Sequence, residues 1–210
     1  MIRFNSLFNL IFLFKYRHNF KNWKKRNFNP PSPDFIKHQI IKNHNLINSI
    51  WIETGTYYGE TTNVLSKIAN KVISIEADKR LFQLASNRFK NHDNVEIINE
   101  RSENILNKIL KDNIDIKNIC LYLDAHLCSD HITGSNTYGE QDSGTPIMKE
   151  ISIIENDIIN REKYVILIDD IRLFDKKFQN YSSKNELVIW CKKNKFEWEI
   201  EHDIFIAKKI

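Results

Sequence analysis

The chain has 210 residues, of which 28% are charged and 41% hydrophobic, with a formal net charge of +4. That length supports one complete core, burying roughly 70–75% of the unfolded surface, and is short for two domains. Three cysteines, Cys120, Cys128 and Cys191, form no CxxC pair, which argues against a structural zinc site and for a reducing, cytoplasmic setting.

The charge is unevenly spread. Between Met1 and Pro33 there is no acidic residue, while Arg3, Lys15, Arg17, Lys21, Lys24, Lys25 and Arg26 are basic. Subtracting these seven charges from the net +4 leaves −3 on the remainder, so the body gives no sign of a nucleic-acid surface and no nucleic-acid partner is expected. Within this arm, residues 1–33, Phe4, Leu7, Phe8, Ile11 and Phe12 follow the spacing of an amphipathic helix, and a basic run with Phe20 and Trp23 comes next. The apolar stretch is too short and interrupted to span a bilayer. Two placements stay open: packing on the body or on a second copy as a homodimer, or peripheral contact with an anionic membrane surface. Asn29-Pro-Pro-Ser-Pro33 then breaks the chain, and residues 34–210 form the main domain.

Beyond the break, short apolar runs alternate with helical patterns. Helices are predicted over 35–47, 61–69, 79–90, 102–110, 147–159 and 185–193. Strands are predicted over 49–54, 72–76, 95–99, 118–124 and 164–169, with a closing hairpin from 196–200 and 204–207. The pattern implies an α/β, Rossmann-like, doubly wound and mostly parallel seven-stranded sheet ending in an antiparallel hairpin. In such a sheet the ligand site lies beyond the carboxyl ends of the strands.

Those ends carry Glu53, Glu76, Asn99 to Ser102, Asp124-Ala-His126 and Asp169-Asp170. The first is followed by a glycine loop, Glu53-Thr-Gly55-Thr-Tyr-Tyr-Gly59, where glycine lets backbone approach a ligand. A dinucleotide fingerprint needs G-x-G-x-x-G, and the third glycine is missing. A carboxylate after the second strand can accept both hydroxyls of a ribose. Together these features fit an adenosyl ligand better than NAD.

At these residues the chain resembles the class I S-adenosylmethionine-dependent methyltransferases. Within them it is similar to a group marked by V-E-T-G-T-Y-x-G, L-D-x-H and I-D-D-x-R-x-F, which stand here as Ile52 to Gly59, Leu123 to His126 and Ile168 to Phe174. The resemblance implies that Glu53, Gly55, Thr56, Tyr57 and Gly59 line the methionine end of S-adenosylmethionine, that Glu76 holds the ribose, and that Ser102 lies near the adenine. Arg101, where the group has Asp, either stacks on the base or points to solvent. Asp124 is expected both to touch the cofactor and to act in catalysis with His126 and Asp169.

The sulfonium already activates the methyl group, so the protein must align a nucleophile and remove a proton. By similarity to catechol-type O-methyltransferases, Asp124, Asp169 and Asp170 would hold Mg²⁺ or another divalent cation, with His126 as base. Against this, Asp169 and Asp170 could cap a turn or pair with Arg172. The remaining glycines, Gly134, Gly139 and Gly144, fall in a long polar connection, Leu127 to Thr145, of the kind that forms lids and binding loops. The expected acceptor is a hydroxyl of a small molecule or glycan. The alternatives are an NAD-dependent oxidoreductase and a non-catalytic cofactor-binding scaffold.

Overall fold

The structure, a computed structural model, describes residues 6–125, 145–174 and 181–209, with side chains in the first helix from Tyr16 onward. Helix α1 (Ser6–Lys25) is followed by α2 (Asp34–Asn43), β1 (Ile50–Thr54), α3 (Glu60–Leu65), β2 (Lys71–Glu76), α4 (Lys79–Phe89), β3 (Val95–Asn99) and α5 (Ser102–Asp112). Then come β4 (Asn118–Leu123), α6 (Ile147–Asp157), β5 (Lys163–Ile168), α7 (Lys184–Asn194), β6 (Glu197–Glu201) and β7 (Ile204–Lys209). The seven strands form one sheet in the order β3-β2-β1-β4-β5-β7-β6, with β7 antiparallel to β5 and to β6. The expected Rossmann-like arrangement with its terminal hairpin is therefore the observed one.

The central strands read as unbroken apolar runs because both faces of the sheet are covered. Side chains alternate between two cores with the period of a strand. Ile50, Ile52, Ile119, Leu121 and Leu123 point to one, with Leu106 and Leu110 of α5, Ile151 and Ile154 of α6, and Leu187 and Trp190 of α7. Trp51, Cys120, Tyr122, Val165 and Leu167 point to the other, with Ile40 and Ile41 of α2. Cys120 and Cys191 are buried free thiols, each raised to about 12 by burial. The edge strand β6 carries Glu197, Glu199 and Glu201 on its exposed run, which discourages pairing with another sheet.

Several boundaries differ from those the sequence predicts. Helix α2 stops at Asn43 rather than Ile47, because Asn45 turns its side chain inward to accept from Trp51 Nε1 (2.7 Å) and donate to the Ile68 carbonyl. Helix α3 ends early at Leu65, and Asn94 Nδ2 holds the following turn through the Ser66 and Ala69 carbonyls. Strand β7 runs on to Lys209, paired with Tyr164. The arm is helical as expected, one helix running to Lys25 and ended by Asn27 and Phe28 in left-handed conformation. Its Trp23 is buried, edge-on to Phe28 and His202 with ring centroids 5.0 Å away in each case, and Tyr16 meets Phe35 of α2 at 5.1 Å. No helix among the described residues is long and apolar enough to cross a membrane.

Candidate active site

The chain reverses its winding direction at β1, which pairs with β2 on one side and β4 on the other. The carboxyl ends of β1 and β4 thus border a crevice at the topological switch point. Gly55 sits in it with φ +88°, and a Cβ there would stand 2.7 Å from the Asp124 carbonyl oxygen. Both the left-handed backbone and the close approach require glycine. Gly55→Ala is expected to cost about 1–3 kcal/mol through backbone strain, read as a lower denaturation midpoint with an unchanged slope; an unchanged midpoint would show that the loop yields freely. Gly59, φ +79°, precedes α3 and leaves room for the Phe89 ring, which an added Cβ would meet at 2.5 Å.

Glu53 is wholly buried at the end of β1. Its Oε2 accepts from the Thr62 and Ser74 hydroxyls, both at 2.5 Å, whereas Oε1 accepts no hydrogen bond. Burial raises its pKa to about 8, against the pull of those two hydroxyls. Thr56 turns down into the same network, its hydroxyl 2.6 Å from that of Ser74, so its side chain supports the loop from below. Tyr57, with φ +51°, aims its amide at Glu76 Oε2 (2.7 Å), and the Asp78 amide donates to Oε1 (2.9 Å). Burial outweighs these two donors and raises Glu76 to about 7.

On the adenine side, Ser102 is buried at the first turn of α5. Arg101 is tied to its neighbour Glu103, to which its Nε and Nη2 donate at 3.1 and 2.6 Å. A further carboxylate, one to which the sequence assigns no role, lies beneath. Glu150 of α6 is wholly buried and raised to about 7 by burial, with the Ser102 and Thr54 hydroxyls pulling the other way. None of these three side chains completes a hydrogen bond of good geometry.

On the other side of the crevice, Asp124, Asp169 and Asp170 line a cleft with Phe174 and Tyr181, whose rings meet edge-on at 5.2 Å. His126 and the connection from Leu127 to Gly144 lie outside the described residues. The expected metal set is not what the fold assembles around these carboxylates. Asp169, Asp170 and Asp203 bring ligand atoms within 4.8 Å of one another, but cationic side chains already stand among them. Lys37 Nζ of α2 donates to Asp169 Oδ2 (2.7 Å) and Asp170 Oδ1 (3.1 Å), and Arg172 binds Asp170 (2.5 Å) and Asp203. Burial alone would lower the Lys37 pKa, yet the facing Asp169 and Asp170 carboxylates leave it well raised. The Tyr122 hydroxyl also donates to Asp169. Burial and the neighbouring Asp124 hold Asp169 above the ordinary carboxylate range. Lys37 and Tyr122 carry no signal in the sequence, one being a mid-helix lysine and the other an inward-facing strand residue.

The sequence profile of the ribosomal RNA adenine dimethylase family matches residues 32–185, a span that takes in this whole crevice. The chain is 45% identical over 49 residues to ribosomal RNA small subunit methyltransferase A of Caldanaerobacter subterraneus subsp. tengcongensis, a stretch covering 23% of this chain and 18% of that one. It is 36% identical over 87 residues to an rRNA adenine N-6-methyltransferase of Escherichia coli, covering 41% and 31%. The chain therefore aligns with less than a third of either relative's length. A precorrin-6y C5,15-methyltransferase from Geobacter metallireducens superposes with a TM-score of 0.50 at 8% identity, over 85% of this chain and 89% of that one, which speaks for the fold alone.

These matches overturn the expected small-molecule or glycan hydroxyl acceptor and the expected absence of a nucleic-acid partner, and they displace the oxidoreductase and scaffold alternatives. A charge sum taken over the body, with the arm set aside, conceals the cations that the arm brings to it. An S-adenosylmethionine-dependent methyltransferase fold, a glycine crevice at its switch point and a family profile running through every strand end of that crevice lead to one statement: the chain belongs to the ribosomal RNA adenine dimethylase family.

Proposed function

We propose that the protein transfers methyl groups from S-adenosylmethionine to the exocyclic N6 of adenine in RNA. The observation that carries this reading is the family match, which runs from the chain break before α2 through Glu53, Glu76, Asp124 and Asp169. The crevice also suits the cofactor. Glu53 offers a buried carboxylate oxygen without a partner, Gly55 leaves the backbone uncovered, and Glu76 stands one strand away along the same end of the sheet.

The bound cofactor supplies an electrophilic methyl on a sulfonium, and the protein supplies orientation. The N6 lone pair of adenine is delocalised into the ring, so the amine needs a hydrogen-bond acceptor on its N–H as it becomes tetrahedral. Asp124, partly exposed on the cleft beside Gly55, serves as that acceptor. As the nitrogen takes up the methyl group, Asp124 would hold its N–H and accept the proton that it sheds. Phe174 and Tyr181 place two aromatic rings beside Asp124. Lys37 provides the positive charge that the Asp169–Asp170 pair requires, so in this reading no divalent cation takes part.

Incubation with ribosomal RNA and methyl-labelled S-adenosylmethionine should place label in N6-methylated adenosine after digestion to nucleosides, undiminished by excess EDTA. Asp124→Asn should slow transfer by about 10²–10⁴-fold. If the protein binds S-adenosylmethionine while RNA stays unlabelled, the acceptor assignment is wrong.

A further inference from the structure

We propose that the second half of α1 is a docking surface for the phosphate backbone of RNA, placed on the acceptor side of the active site. The inference rests on the RNA reading above and adds to it where the nucleic acid sits. Three observations converge on it.

The first is how the helix is fixed. Tyr16, Phe20 and Trp23 follow one stripe of α1 at spacings of four and three, and they meet Phe35 of α2, Phe28 and His202. The second is where this places the helix. His202 lies in the turn between β6 and β7, and β7 enters the sheet with Phe205 paired to Ile168, the last residue of β5. The turn therefore stands at the carboxyl end of β5, the end that presents Asp169 and Asp170. Helix α2, which α1 also touches, sends Lys37 to those same carboxylates. The basic helix thus flanks the acceptor cleft, away from the β1–β2 cofactor side.

The third is what faces outward. Arg17, Lys21, Lys24 and Lys25 occupy the neighbouring stripe and are all exposed, as is Arg26, which donates to the Pro31 carbonyl at 2.7 Å. The helix holds no acidic residue in its first turn and two lysines in its last. Phe20 and Phe28 remain 41% and 47% exposed beside this stripe, an arrangement of cations with aromatic surface that suits phosphates and unpaired bases together. A helix lying on a membrane instead needs a free apolar face. Among the described side chains Trp23 of that stripe is buried on the body and Tyr16 meets Phe35, which leaves only the partly exposed Phe20 ring on it.

The test compares the full chain with K21Q/K24Q/K25Q, measuring fluorescence anisotropy of a labelled RNA hairpin with unpaired adenines between 50 and 200 mM KCl. The variant should bind about 100-fold more weakly at 100 mM salt, with a log–log salt slope smaller by about two, since each lost phosphate contact removes roughly 0.7–0.9. Its melting temperature and S-adenosylmethionine affinity should be unchanged. Equal RNA affinity and slope in the two proteins would overturn the proposal, whether or not RNA is methylated. So would an unchanged RNA affinity accompanied by lost binding to phosphatidylserine-containing vesicles, which would assign the arm to a membrane. Failure of the methylation assay alongside arm-dependent RNA binding would count against the adenine chemistry alone.

Discussion

Glu53→Gln is expected to weaken S-adenosylmethionine binding by about 10- to 150-fold, the loss of one hydrogen-bonded charge interaction worth roughly 1.5–3 kcal/mol. Ser74 and Thr62 can still donate to the amide oxygen, so the loop beneath the site keeps its partners. What disappears is the negative charge on a carboxylate whose other oxygen has no hydrogen-bond partner. The pH dependence separates this from a packing effect. In the free protein burial raises Glu53 to about 8, and a positively charged ligand would favour the ionised form. Affinity should therefore rise as pH increases from 6 to 8 and level off above it, and the glutamine variant should keep only the part that comes from Glu76, which burial raises to about 7. The stability of the ligand-free protein must move the other way. A carboxyl whose folded pKa lies above its unfolded value contributes stability that is complete below the unfolded pKa, near 4.5, and is lost as pH rises through about 8. The loss amounts to about 1.4 kcal/mol for every tenfold difference between the folded and unfolded acid dissociation constants. Glu53→Gln should flatten that slope in denaturant titrations at pH 5, 7 and 9. A variant with the same affinity and the same pH profile as the parent would remove Glu53 from the cofactor site.

The parts of the molecule that are legible in the sequence are those whose signal is local. Strands β1, β4 and β5 announce themselves by continuous apolar runs, and the runs end at Glu53, Asp124 and Asp169, where a doubly wound sheet places its ligands. Glu76 is readable for the same reason. The direction of the Thr56 side chain is not readable, since only the pairing of β1 with β2 shows that its hydroxyl drops onto Ser74. The metal expectation leaves out a tertiary contact: Lys37 reaches Asp169 across 132 residues of sequence, and nothing in α2 marks that lysine. Glu150 is hidden likewise, since an amphipathic pattern gives no reason to expect a carboxylate on the buried face of α6. The expectation of no nucleic-acid partner rests on a sum of −3 over the residues after the arm, and that sum leaves out the basic residues of a helix whose Trp23 packs on His202 of the same body.

Lys37→Met carries the second large expected effect, a loss of about 3–5 kcal/mol at pH 8, the range for breaking a buried ion pair by removing one partner. The side chains of Lys37 and Asp169 are 16% and 2% exposed, and Asp124 and Asp170 stand close enough to repel an uncompensated Asp169 carboxylate. Without the ammonium, Asp169 would keep only the Tyr122 hydroxyl and the Asp170 amide as donors. Its pKa would climb further, because the cation that restrains it is gone. The sign of the pH effect follows: a carboxyl with a raised folded pKa is tolerated when protonated, so the deficit of the variant should shrink from pH 8 toward pH 5. Lys37→Met/Asp169→Asn should recover most of the lost stability at pH 8, since an amide in that position can accept from the Asp170 N–H, donate to the Tyr122 oxygen and leave no buried charge to balance. Urea titrations of the three proteins at both pH values decide the matter. A deficit that is the same at pH 5 and pH 8, or one that the double substitution fails to reduce, would mean that Lys37 contributes through the packing of its aliphatic stem on α2 and that the carboxylates are neutralised by something else.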